Sequence, residues 1–240
     1  MKYINGKNLL DYAFLNEDTL KGPLKGICVA FHGYTDATMY TESPEIARKL
    51  GEKGIAWVFP YYSVWAWMGK NSQIFVEQVL DAVYERLQAD ESVPLLISGG
   101  SMGGLTALNY LVYGQRKAAA CAVSCPVVSM NFNFEDHPDF RRALLSAHIE
   151  KEGDLHEILE RYSPCSFVDR LPDIPYFLLF GEYDTYYTQK HRPLLVEPMK
   201  QRGLNVREWI HPEMGHNYFS GHPEAMEAFC EFAESVFARV

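Results

Sequence analysis

Short unbroken apolar runs alternate along this chain with stretches in which apolar residues recur three and four positions apart. The runs at 26–31, 55–59, 93–98, 118–124, 174–180 and 204–210 are too short for helices and read as buried strands. Helical spacing occupies 71–90, where Phe75, Val76, Val79, Leu80, Val83, Tyr84 and Leu87 share one face, and also 102–113, 190–201 and 223–238. A further helix is expected to run to about Lys53, with Ser43 as N-cap, Pro44 at its first position and Glu45 in an acidic first turn. Continuous apolar strands alternating with helices predict an α/β fold, a mostly parallel sheet covered on both faces. In such sheets ligands sit beyond the carboxyl ends of the strands, so residues just after each strand are the candidates for chemistry.

Between about 126 and 163 the alternation is interrupted. Amphipathic patterns at 140–149 and 155–162 make this insertion a small helical cap, with 131–136 as its hinge or lip. Composition adds little that changes this picture. At 240 residues, with 48% apolar and 14% aromatic side chains, one globular domain is expected and no disulfide or metal staple is needed. The formal charge of −9 argues against nucleic acid as a partner. No apolar run reaches the length of a membrane span, and the first residues do not read as a signal peptide. Cysteines 28, 121, 125, 165 and 230 form neither a CxxC pair nor a zinc-finger spacing, so they are expected to be reduced thiols of a cytoplasmic protein.

The strongest chemical signal lies at Gly99, Ser101 and Gly103, a G-x-S-x-G pattern. Chance alone gives such a match in roughly one chain in ten. Its context is more specific: a strand runs in through Leu95, Leu96 and Ile97, and a helix runs out from Leu105. A serine on that sharp turn projects its hydroxyl above the sheet, close to a helix N-terminus that favours developing negative charge. A serine hydroxyl needs a base, and the base needs an orienting carboxylate. Asp184 follows the strand at 174–180, with Glu182 as its nearest rival. His216 follows Gly215 in the loop after the last strand, with His211 as the alternative. The backbone N–H groups of Tyr34, after His32 and Gly33, and of Met102 are the candidate oxyanion donors, and His32 is expected to hold this loop by hydrogen bonding. No His/Glu pair has zincin spacing, so no metal site is expected.

Phe31-His32-Gly33, the turn at Ser101, the stretch from Gly181 to Asp184 and Gly215-His216 together resemble the α/β-hydrolase superfamily, over about residues 26–220. The likeness is strongest to small single-domain esterases and to the catalytic domains of prolyl-oligopeptidase-like peptidases. It implies an eight-stranded, mostly parallel sheet and a two-step acyl-enzyme mechanism without a cofactor. The oxyanion loop reads His-Gly-Tyr rather than a long glycine run, which departs from the lipase pattern. Trp65, Trp67 and Met68 after the strand at 55–59, and Tyr186 and Tyr187 after Asp184, are the expected pocket residues. The expected reaction is hydrolysis of a small-molecule carboxylic ester of small to medium size. A peptidase or amidase is the nearest rival, and a non-catalytic binding protein on a hydrolase scaffold is the second.

Overall fold

The computed structural model describes residues 3–186 and 190–238. Seven strands form one sheet: β1 (Ala13–Leu15), β2 (Gly26–Phe31), β3 (Ile55–Pro60), β4 (Leu95–Gly100), β5 (Ala120–Ser124), β6 (Tyr176–Gly181) and β7 (Val206–His211). Their spatial order is β1-β3-β2-β4-β5-β6-β7, with only β1 antiparallel to its neighbour. Strands β2 to β5 are buried at every position, as continuous apolar runs require when both faces of a sheet are covered.

The expectation of eight strands is corrected to seven among the described residues, and the edge strand β1 escaped the sequence reading because three residues carry no period. Before β1 the chain turns instead of pairing. A 3-10 turn covers Leu9–Asp11, and the Asn8 side chain accepts the Asn5 backbone N–H at 2.8 Å.

Helices α1 (Glu45–Glu52), α2 (Lys70–Arg86), α3 (Met102–Tyr113), α7 (Arg192–Gln201) and α8 (Pro223–Phe237) match the periodic stretches to within a few residues. Ser43 does not cap α1: Pro44 stands at the N-cap, and the Ser43 hydroxyl donates to Asp18 at 2.6 Å. One hydrophobic cluster, which includes Val79, Leu108 and Leu178, fills the side of the sheet beneath α2 and α3. The other lies beneath α1 and α8 and includes Leu50, Trp57 and Phe229.

The insertion between β5 and β6 carries α4 (Met130–Asp136), α5 (Pro138–His148) and α6 (Leu155–Arg161). The segment expected as a hinge or lip is therefore a helix, capped by the Ser129 side chain, which accepts the Phe132 N–H at 3.4 Å. At the end of α5, His148 stacks on Tyr162 with ring centroids 5.8 Å apart. Burial, and then the Lys151 ammonium beside it, pushes this imidazole down to about 4. Between pH 6.5 and 4 the unfolded chain binds a proton that the folded chain refuses. Stability is thus full above about pH 6.5 and falls as pH drops toward 4, by on the order of 2–3 kcal/mol. Urea unfolding from pH 7 to 4.5 should show this loss, and His148→Leu should flatten it.

Candidate active site

Ser101 occupies the single residue between β4 and α3, at φ 55° and ψ −122°. A side chain in that region is strained, and such strain persists only where the surroundings enforce it. Here both flanking glycines are required by space. A Cβ on Gly99 would overlap the Gly103 carbonyl oxygen, and one on Gly103 would overlap that of Phe31. The Ser101 N–H donates to the Ser124 carbonyl at 3.0 Å, and the Ser101 carbonyl accepts from Leu105 at 3.1 Å and from Val127 at 3.1 Å. The turn is fastened to β5 on one side and to its own helix on the other.

Asp184 follows β6 and is only 1% exposed at its side chain, with Oδ2 at 2.9 Å from His216 Nδ1. Its other oxygen accepts the Tyr186 N–H at 2.8 Å. A carboxylate at Nδ1 fixes that nitrogen as the protonated one, which leaves Nε2 as the basic atom. The rivals are placed elsewhere. His211 is buried on β7 and accepts the Glu213 N–H at Nδ1, and Glu182 is exposed.

The loop bearing His216 is held at three points. The Ser124 hydroxyl donates to the Asn217 carbonyl, the Cys125 thiol donates to the Gly215 carbonyl at 3.7 Å, and the Tyr183 N–H donates to Met214 at 2.9 Å. Cys125 also lies beside Asp184; burial, followed by that carboxylate, pushes its thiol up to about 12. It is therefore a neutral hydrogen-bond donor at ordinary pH. Ser124 and Cys125 were not singled out in the sequence, although Ser124 ends β5 and Cys125 follows it, where the candidates for chemistry are expected.

The loop after β2 passes close to Ser101: a Cβ on Gly33 would lie 3.7 Å from Ser101 Cβ. Tyr34 N–H comes next in the chain, and Met102 N–H is the first of α3, a position with no intrahelical acceptor. His32 holds this loop from below. Its ring nitrogens lie 2.9 Å from the Gly33 carbonyl and 3.1 Å from that of Tyr62, and its ring stacks on Tyr62 at 3.8 Å.

Two cavities meet at Ser101 and His216. One, of about 360 Å³, runs down the α1 and α8 side of the sheet past Tyr40, Trp57, Phe59 and Met226. The other, of about 380 Å³, lies under the insertion and is walled by Tyr34, His137, Phe140 and Tyr186. Tyr186 thus lies where expected, its ring 5.1 Å from that of His216, while Tyr187 falls outside the described residues. Trp65, Trp67 and Met68 line neither cavity. Trp65 faces a separate depression with Lys70 and Lys151. Trp67 is fully buried, packed on Tyr34 and Phe140 at 5.6 and 5.3 Å, and donates its backbone N–H to Met102 Sδ at 3.4 Å. Positive φ values of 38° at Trp67 and 56° at Met68 turn this segment inward, so it supports the loop instead of facing substrate.

Two groups of potential metal ligands occur among the described residues: Cys125, Asp184 and His216, and His211, His222 and Glu224. In the first, Nδ1 and the carboxylate are already joined to each other and the thiol is protonated. In the second, both imidazoles accept backbone N–H groups at Nδ1, which places the proton of each neutral ring on Nε2. Neither arrangement offers a cation a ready set of lone pairs.

The sheet order, the strained turn at Ser101 and the Asp184–His216 pair define the α/β-hydrolase superfamily. Residues 50–239 match the prolyl oligopeptidase family, and the chain belongs to it. Among solved structures it is similar to a puromycin-hydrolysing peptidase of Mycobacterium tuberculosis, with 17% identity and a TM-score of 0.72 over 95% of this chain and 37% of that one. It is similar as well to Esterase B of Lactobacillus rhamnosis, with 17% identity, a TM-score of 0.73 and coverage of 99% and 84%. An S-formylglutathione hydrolase of Agrobacterium tumefaciens gives 18%, 0.64, and 95% and 88%. The chain thus spans under two fifths of that peptidase but most of the esterase and of the S-formylglutathione hydrolase. None of the curated proteins matches it. No helix among the described residues is long and apolar enough to cross a membrane.

Proposed function

We propose that the protein is a serine hydrolase that cleaves carboxylic esters of small to medium size through an acyl-enzyme. The observation that carries this reading is the buried Asp184 at 2.9 Å from His216 Nδ1, on a loop that borders the same two cavities as the strained Ser101. Ser101 Oγ attacks the ester carbonyl while His216 Nε2 takes its proton. The Tyr34 and Met102 N–H groups hold the oxyanion, and Asp184 stabilises the imidazolium. His216 then protonates the departing alkoxide, and the C–O bond breaks to leave Ser101 acylated. Water, deprotonated by His216, attacks the acyl carbon and releases the acid and the serine.

The family match favours one second reading, cleavage of an amide or peptide bond by the same residues. The five free cysteines, four of them buried, suit a reducing, cytoplasmic setting.

A fluorophosphonate probe tests the machinery directly. Labelling is expected at Ser101, identified by mass spectrometry, and is expected to vanish in His216→Ala. Folded protein that stays unlabelled would overturn the reading in favour of a binding scaffold. Rates on matched acyl esters and aminoacyl amides then separate the esterase from the peptidase.

A further inference from the structure

The cavity on the α1 and α8 side of Ser101 is walled by aromatic rings. Trp57 and Phe59 stack at 5.6 Å, and Tyr40 sets its edge against both at 5.6 and 5.0 Å. Asp36 and Glu45 belong to the same lining, which contains no Lys or Arg. Among the described residues neither carboxylate has an ion-pair partner. Asp36 accepts only the Thr38 N–H, at 2.9 Å, and Lys49, one turn beyond Glu45, is paired instead with Glu227 at 2.9 Å.

Sign and shape together restrict what can occupy this space. An anionic substituent would face two carboxylates in a lining without Lys or Arg. A purely aliphatic one would crowd the two carboxylates, at the cost of their solvation. A cation gains from both features, because ring faces attract it through their quadrupoles and the carboxylates attract it directly. The volume of about 360 Å³ accepts a substituent as large as a quaternary ammonium on a short alkyl arm.

We infer that this cavity receives a cationic, ammonium-bearing arm of the substrate, recognised by the Tyr40, Trp57 and Phe59 rings with Asp36 and Glu45. The inference rests on the proposed serine hydrolase and names the substrate class for that site. The other cavity, under the insertion, then takes the opposite side of the scissile bond.

Two matched ester series test it, since the cation can enter on either side of the carbonyl. One compares choline butyrate with the butyrate of 3,3-dimethylbutanol, its uncharged isostere. The other compares the 4-nitrophenyl esters of 4-(trimethylammonio)butyrate and of 5,5-dimethylhexanoate. In at least one series kcat/KM for the cation is expected to exceed that for the isostere by about tenfold or more. The ratio should fall toward one in Asp36→Asn/Glu45→Gln and shrink with added salt. Because each ratio is taken within one variant, partial loss of folded protein does not affect it. Ratios near or below one in both series, with the neutral esters still cleaved through Ser101, would overturn the inference and leave the hydrolase standing. A ratio that survived the double substitution would overturn it too. Should neither member of either series be cleaved, and Ser101 resist the fluorophosphonate, the hydrolase itself falls and the inference with it.

Discussion

Replacing Ser101 with alanine is expected to lower kcat/KM for ester hydrolysis by about 10⁴- to 10⁶-fold, while the thermal midpoint stays level or rises. The loss is large because no other hydroxyl occupies the elbow. The level or higher stability follows from the strain at φ 55°, which the side chain's removal does not add to. His216→Ala should fall by a similar factor. The double variant should be no worse than either single one, because nucleophile and base act as a unit. Steady-state rates on a chromogenic ester, with active-site titration to exclude contaminating hydrolase, give all three numbers. An additive loss in the double variant would mean that His216 acts on something other than Ser101.

The second large effect is structural and falls two residues away. Alanine is the best helix former, so Gly103→Ala should help α3 if propensity ruled. Instead the new Cβ would overlap the Phe31 carbonyl oxygen at the end of β2, and it would also crowd the carbonyl of His32. Neither backbone can retreat without disturbing the sheet or the loop that presents Tyr34. A cost of more than about 4 kcal/mol is expected, seen as a fall of roughly 8–16 °C in Tm or as insoluble protein. Gly33→Ala is the matched control. Its Cβ would meet Ser101 Cβ at an ordinary 3.7 Å, so the fold should survive.

How much of this was legible in the sequence varied with the range of the interactions involved. The six longer strands and five main helices were readable because each buries a face whose period survives in the sequence. The edge strand β1 was not, since three residues show no period and its pairing with β3 is set by tertiary contact. Helix α4 was hidden for a related reason: seven residues with two asparagines look like a loop until Ser129 caps them.

At the candidate site, the meeting of Ser101, Asp184 and His216 was legible because residues just after particular strands gather at one edge of the sheet. The cavity walls were less legible. The aromatic cluster after β3 drew attention by composition, yet Trp67 and Met68 turn inward on positive φ, a backbone property invisible in a residue list. Tyr40, Asp36 and Glu45 come from the stretch between β2 and the start of α1 and meet Trp57 only once the sheet order is known. Nothing local marks them.

The meeting of two separate cavities at Ser101 bears on kinetics. On the acyl-enzyme reading, the alcohol departs through one chamber while the acyl group stays anchored in the other. The vacated chamber is then open to whichever nucleophile fits it, and a second alcohol of the same shape competes there with water for the acyl carbon. Such an enzyme would show ping-pong behaviour and, in alcohol-rich medium, would exchange esters instead of destroying them.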